Sequence, residues 1–160
     1  MTSIQTILVT GGAGFIGSNF VRKVRRKFPK WTIRILDRLT YAGDRRRLGD
    51  LEVDFIVGDI ADSESARSAV QGADFVVNFA AESHVDRSLL DASDFMRSNV
   101  AGAYTIMRAA VDAGVTKFVH ISTDEVYGES RGRAFTERDV LNPRSPYSAS
   151  KAGGEMQALA

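Results

Sequence analysis

At 160 residues, with 44% hydrophobic and 26% charged side chains, the chain has the make-up of one globular domain and not of a natively disordered segment. Its 21 basic and 20 acidic residues leave a net charge of +1, which gives no general attraction to nucleic acid or to an anionic membrane. The absence of cysteine excludes disulfides, thiolate catalysis and Cys-ligated zinc, and the two histidines, His84 and His120, lack metal-ligand spacing.

Thr6-Ile7-Leu8-Val9-Thr10 is a short apolar run of the kind a strand buried on both faces requires. It follows the N-terminus with no basic segment leading into an apolar one, and no run in the chain is long enough to span a bilayer, so the expected location is cytoplasmic. Gly11-Gly12-Ala13-Gly14-Phe15-Ile16-Gly17 breaks the run. A helix follows, with Phe20, Val21, Val24 and Phe28 at helical spacing and Pro29 as its stop. Gly12-x-Gly14-x-x-Gly17 matches the dinucleotide fingerprint, and Gly11, Gly14 and Gly17 give the variant with one more residue between the first two glycines. Small residues let the backbone approach a pyrophosphate, and the helix N-terminus offers free N–H groups and partial positive charge. The next strand, residues 32–36, leads into Asp37, about twenty residues from the motif, where an acid accepts from a ribose 2′-hydroxyl. A carboxylate there repels a 2′-phosphate, which favours NAD over NADP, with Arg38 tempering the preference.

Residues 39–51 read as loop and turn. The run Arg45, Arg46, Arg47 and the cluster Arg22, Lys23, Arg25, Arg26, Lys27 read as solvated surface, since no aromatic residues are interleaved for base stacking. A third strand, 53–57, ends in Gly58-Asp59-Ile60, where an acid and an apolar side chain suit the two sides of an adenine ring; a plain strand-end turn competes with that reading. Residues 63–70 predict a short helix with a Ser or Asp cap, and 74–81 a fourth strand whose Ala80 and Ala81 leave room for a flat cofactor. Residues 82–88 are dense in polar groups: Ser83 and His84 stand at the mouth of the cleft, while Asp86 and Arg87 read as a structural ion pair. Residues 94–113 predict one regular helix, with Met96, Val100, Ala103, Met107 and Ala110 as its core stripe and Gly114 as its stop.

A fifth strand, 117–121, in which His120 reads as a satisfied core residue, delivers Ser122-Thr123-Asp124-Glu125-Val126-Tyr127-Gly128. Ligands of open parallel sheets bind at the carboxyl ends of the strands. Two neighbouring acids there diverge by about 100° if the backbone turns helically, so one can donate a proton while the other removes one; a polar turn is the plainer reading. Residues 129–146 form a long polar loop, read as a flap near the site. Tyr147 and Lys151 then stand one helical turn apart, and an ammonium there is expected to lower the tyrosine pKa, as a phenolic general base needs. Without its context the pair is an ordinary surface contact. The sum is an α/β fold: one Rossmann-type, doubly wound parallel sheet of five strands over residues 1–160.

These strings together resemble the extended short-chain dehydrogenases/reductases and, more closely, the dTDP-glucose 4,6-dehydratases. The likeness runs from residue 7 to 155 and is carried by Thr10-Gly11-Gly12-Ala13-Gly14-Phe15-Ile16-Gly17-Ser18, Leu39-Thr40-Tyr41-Ala42-Gly43, Ala80-Ala81-Glu82-Ser83-His84-Val85-Asp86-Arg87-Ser88, Ser122-Thr123-Asp124-Glu125-Val126-Tyr127-Gly128 and Ser145-Pro146-Tyr147-Ser148-Ala149-Ser150-Lys151. The resemblance implies NAD held by Gly11, Gly12, Gly14, Phe15, Ile16, Gly17, Asp37, Leu39, Thr40, Asp59, Ile60, Ala80, Ala81, Ser83, Ser98, Tyr147 and Lys151, and a nucleotide sugar met by Ser83, His84 and Thr123. It implies catalysis by Tyr147, Thr123 and Lys151 at the sugar C4 hydroxyl, by Glu125 at C5–H and by Asp124 at the departing C6 oxygen. Related 4-epimerases and decarboxylases usually carry small or neutral residues in place of Asp124 and Glu125.

Asp44 and Glu155 depart mildly from the family pattern, which often has Asn and Asp there. Family members run to roughly twice this length, so the resemblance implies an N-terminal half that ends within the Tyr-Lys helix and lacks the substrate domain. It also implies a homodimer of the full-length form through helices 94–113 and 147–160. An epimerase or decarboxylase of the same superfamily and a non-catalytic NAD-binding fragment are the alternative readings.

Overall fold

The computed structural model describes residues 5–130 and 132–160 and places five strands in one sheet. These are β1 (Thr6–Thr10), β2 (Thr32–Asp37), β3 (Asp54–Val57), β4 (Phe75–Asn78) and β5 (Lys117–His120). All pair in parallel, in the order β3-β2-β1-β4-β5, with Val9 opposite both Ile35 and Val77. The chain steps outward from β1 through β2 to β3, then crosses to β4 and β5 on the other side. Strand order therefore reverses between β1 and β4, where a doubly wound sheet opens its crevice.

Burial explains the consecutive apolar residues in the central strands, Ile7-Leu8-Val9, Ile35-Leu36 and Phe75-Val76-Val77. Leu8, Leu36 and Val76 face one core, with Ala66, Ala69, Ile106, Ala109 and Ala110. Ile7, Val9, Ile33, Ile35 and Val77 face the other, with Val21, Val24 and Leu48. A strand covered on both sides has no polar alternation to keep. Helix α1 (Phe15–Lys27) covers the second face, and α2 (Ser63–Val70), whose N-cap Asp62 accepts from the Ser65 N–H at 2.7 Å, covers the first.

Several expectations from the sequence are corrected by the structure. The stretch after β2 is not all loop: Arg45–Leu48 is a 3₁₀ turn capped by Asp44, and it buries Leu48 under α1. Nor are its arginines and those of α1 merely solvated. Arg25 donates to the carbonyls of Pro29, Trp31 and Glu52, Arg22 to that of Arg47, and the Arg45 guanidinium lies 4.7 Å from the Phe55 ring centroid. Residues 82–88 contain the start of helix α3 (Val85–Leu90), and the Arg87 guanidinium stacks 4.0 Å from the Tyr41 ring centroid instead of pairing with Asp86. Adjacent helical residues point about 100° apart, so Asp86 and Arg87 diverge.

Residues 94–113 are not one regular helix. They comprise α4 (Ser93–Phe95), a π-helical segment (Met96–Gly102) and α5 (Ala103–Asp112). A π turn takes in more residues than an α turn, so it shifts which side chains meet the core. Phe95, Ser98, Asn99, Gly102 and Ile106 face inward, whereas Met96 is 51% exposed.

Helix α6 (Pro146–Leu159) starts at a capping box: the Ser145 hydroxyl accepts from the Ser148 N–H at 3.1 Å while the Ser148 hydroxyl accepts from the Ser145 N–H at 3.0 Å. It packs closely on the π segment, since a Cβ at Gly154 would lie 2.4 Å from the Asn99 carbonyl oxygen.

His120, read as a satisfied core residue, is satisfied on one side only. Its Nδ1 pairs with the Asn78 Nδ2 at 3.1 Å, while Nε2 is buried with no partner among the described residues. Burial, and next the Lys151 charge, push its pKa down to about 4 from the ordinary 6.5. The folded ring is therefore neutral where the unfolded one takes a proton. The contribution to stability is whole above pH 6.5 and drains away as pH falls toward 4. Because the ring is only partly buried, the loss is held to about 2 kcal/mol. Urea unfolding at pH 7 and pH 4.5 is expected to show a smaller difference for His120→Asn than for the parent; equal differences would refute the assignment.

Candidate active site

A cavity of about 580 Å³ opens at the carboxyl ends of the strands. Its floor is the turn after β1. Gly11 adopts φ +66° and donates to the Leu36 carbonyl at 2.9 Å, and the Gly14 N–H donates to the Gly11 carbonyl at 3.0 Å. Gly14 caps α1 with no side-chain partner, so the first N–H groups of that helix remain available to an anion. The Asp37 carboxylate locks the turn by accepting from the Ala13 N–H at 2.9 Å and the Leu39 N–H at 2.8 Å. Leu39 sits in the left-handed region at φ +54°, a strain of about 1 kcal/mol for an L-residue.

The wall beyond is ionic. Arg38 donates to Asp59 at 3.1 Å and to Glu82 at 3.3 Å, and Arg97 reaches Asp59 at 3.0 Å. Glu82 is held in place through its backbone: its N–H donates to the Asn99 Oδ1, and its carbonyl accepts from the Asn99 Nδ2, both at 2.9 Å. The same Nδ2 donates to the Ser150 hydroxyl at 2.9 Å, which ties this wall to α6.

Tyr147 and Lys151 close the far end. The Tyr147 N–H donates to the Ser88 hydroxyl at 3.1 Å, its ring meets Phe95 edge-on at 6.3 Å, and the buried Lys151 ammonium donates to the Ile121 carbonyl at 2.6 Å. Burial pushes the lysine pKa down to about 8, against the pull of Glu155. The tyrosine is displaced opposite to the sequence expectation. Burial raises its pKa, the Thr123 hydroxyl lowers it, and the charges of Glu125 and Asp124 raise it further. The phenol thus answers to its enclosure and to two nearby acids more than to Lys151, whose ammonium is engaged at Ile121.

Of the residues singled out in the sequence, the structure gathers Gly11, Gly14, Phe15, Ile16, Gly17, Asp37, Thr40, Asp59, Ile60, Ala80, Ala81, Ser83, His84, Ser98, Tyr147 and Lys151 around this one cavity. Gly12 and Leu39 are not on its wall. A Cβ at Gly12 would strike Ile35 at 2.8 Å, so that glycine serves the packing of the turn on β2. Thr123 and Asp124 border a neighbouring hollow with His120, Ser122 and Glu155, and Glu125 stands exposed on the 3₁₀ turn Asp124–Tyr127. Thr123 caps that turn, accepting from the Glu125 N–H at 3.3 Å.

The sequence reading missed Glu82, Asn99, Ser88 and Ser150 as organisers of the site. The polar density of 82–88 was a signal for Glu82 and Ser88; Asn99 and Ser150 stand in helical stretches where nothing local marked them. The glycine turn without room for side chains, the free helix N-terminus and the acid after β2 together fit a dinucleotide.

Comparison with known proteins gives a family match over residues 7–160, to the NAD dependent epimerase/dehydratase family. A dTDP-glucose 4,6-dehydratase of Mycobacterium tuberculosis is 50% identical over 156 residues, 94% of this chain and 46% of that protein. The crystal structure of DesIV (dTDP-glucose 4,6-dehydratase) from Streptomyces venezuelae, with NAD bound, aligns with a TM-score of 0.91 at 48% identity, over 96% of this chain and 50% of that one. A UDP-glucose 4-epimerase from Thermus thermophilus, in complex with NAD, aligns with a TM-score of 0.87 at 32% identity, over 97% of this chain and 50% of its own. The chain spans about half the length of the relatives it matches.

Proposed function

The chain belongs to the NAD-dependent epimerase/dehydratase family, and from that premise we propose that it carries the cofactor-binding and acid–base half of a dTDP-glucose 4,6-dehydratase, a lyase acting on a nucleotide sugar. The observation that carries this reading is the cavity that brings the glycine turn, Asp37, Tyr147 and Lys151 together, in a chain 50% identical over 94% of its length to a dTDP-glucose 4,6-dehydratase. Ser122 lines both that cavity and the hollow of Thr123 and Asp124, which sets the turn carrying the two acids beside it.

Gly11, Gly14 and Gly17 would hold the pyrophosphate of NAD, Asp37 its ribose, Asp59 and Ile60 its adenine, and Ala80, Ala81 and Ser98 the rest. Bound there, NAD supplies an acceptor for the C4 hydride and the source of the hydride returned to C6. Tyr147, assisted by Thr123 and Lys151, takes the proton of the C4 hydroxyl. The ketone so formed acidifies C5–H, Glu125 removes that proton, and Asp124 protonates the C6 oxygen as it leaves, so one water departs with its atoms accounted for. Ser83 and His84 lie on the cavity wall where the sugar would meet the cofactor.

A homodimer contact would fall on the π segment with α5 and on α6, whose outer faces expose Met96, Tyr104, Val111, Met156 and Leu159. No helix among the described residues is long and apolar enough to cross a membrane.

The test incubates the purified chain with NAD⁺ and dTDP-glucose, recording cofactor binding and product mass on one sample. Binding, with a keto sugar lighter by one water that disappears in Tyr147→Phe, is the expected result. The likeness to UDP-glucose 4-epimerase supports a second reading, a 4-epimerase, which would give a hexose of unchanged mass. Binding without product assigns turnover to a longer protein, and failure to bind NAD⁺ refutes the proposal.

A further inference from the structure

We propose that Glu82, together with Asp59, is a specificity-determining residue that withholds Arg38 from a 2′-phosphate and so sets the preference for NAD over NADP. The proposal rests on the cavity being a NAD site. At the end of β2, Asp37 and Arg38 send opposite signals. In this fold the acid at that position serves a ribose 2′-hydroxyl, whereas a nearby arginine accommodates a 2′-phosphate. Both residues line the cavity, so residue identity alone does not decide between them.

The contacts of Arg38 decide it. One guanidinium nitrogen lies 3.1 Å from Asp59 and the other 3.3 Å from Glu82, so two carboxylates from two further strand ends share one cation. Neither is free to leave. Asp59 also accepts from the Ala61 N–H at 2.9 Å and pairs with Arg97, while Asn99 grips the Glu82 backbone on both sides. Glu82 is only 5% exposed, and its Oε2 has no partner among the described residues. A buried carboxylate oxygen without a donor is costly. Here it adds negative field to a cluster in which Asp59 and Glu82 face Arg38 and Arg97, with the Asp37 carboxylate on the same cavity wall. A 2′-phosphate entering there would meet an arginine already neutralised and an excess of carboxylate. The other guanidinium on the wall, Arg47, donates to the carbonyls of Ala13 and Ala42 and has no carboxylate partner among the described residues, which makes it the natural control.

Dissociation constants for NAD⁺ and NADP⁺, measured by calorimetry on the chain and its variants, test the clamp. Glu82→Gln and Asp59→Asn should each lower the ratio of the NADP⁺ to the NAD⁺ constant by about tenfold, and adding Arg38→Ala should restore it. An unchanged ratio in both variants, with NAD⁺ still bound, overturns the clamp and leaves the NAD site standing. A gain that survives Arg38→Ala but vanishes with Arg47→Ala also overturns it. If the parent chain binds no NAD⁺, the site reading and the clamp fall together. Should Glu82→Gln fail to fold, Asp59→Asn carries the comparison alone.

Discussion

Gly17→Ala is expected to abolish NAD⁺ binding and to lower the melting temperature by about 10 °C, taking overpacking of about 3 kcal/mol and the usual conversion for a domain of this size. A Cβ at that position would lie 2.2 Å from the Gly11 carbonyl oxygen and 3.0 Å from both the Gly11 carbonyl carbon and the Gly12 Cα. All three are backbone atoms of the cofactor turn, so no side chain can swing aside. Either α1 must move off the sheet or the turn must deform, and Gly11, at φ +66° with Ala80 behind it, has little freedom to deform. Gly14→Ala supplies the graded comparison. Its Cβ would come 3.1 Å from the same oxygen, a contact relieved by a few tenths of an ångström. Thermal unfolding and NAD⁺ titration of the three proteins decide the matter: if Gly17→Ala melts and binds like the parent, the close-approach account of the turn is wrong.

That turn was readable from sequence because the constraint behind it is local. Strand, glycine turn and helix follow one another within a dozen residues, and only small residues satisfy the approach. The buried strands were readable for a similar reason, since a strand covered on both faces tends to a continuous apolar run, as Ile7-Leu8-Val9 shows. Features made by distant residues were not readable. Arg25 bonds carbonyls from loops that end two separate elements, and nothing in its own neighbourhood says which they are. The π segment resisted because one added residue per turn leaves composition unchanged while shifting the inward face from Met96 to Phe95 and Ser98. The Tyr147–Lys151 spacing correctly put both groups in one place, yet the direction of the tyrosine shift depends on burial and on Thr123, Glu125 and Asp124 from a different element. Spacing supplies proximity, whereas a pKa sums over everything the fold brings near.

The same sum yields the second large effect. In the protein that turns over, Asp124→Asn with Glu125→Gln should cut formation of the dehydrated keto sugar by about a thousandfold, since positioned acid–base groups each contribute on the order of a hundredfold or more. Oxidation at C4 should persist, because Tyr147, Thr123 and Lys151 are untouched and Lys151 keeps its bond to the Ile121 carbonyl. Its pH dependence, however, should move. Both carboxylates raise the Tyr147 pKa, so neutralising them favours tyrosinate and shifts the rising limb of the oxidation rate to lower pH. Rapid-mixing measurement of reduced cofactor across pH, with product mass taken in parallel, reads both effects on one sample. Loss of dehydration together with an acidward limb places the two acids beside the phenol and downstream of it. Dehydration at the parental rate would remove Asp124 and Glu125 from the chemistry. An unmoved limb would mean that their charges do not reach the phenol.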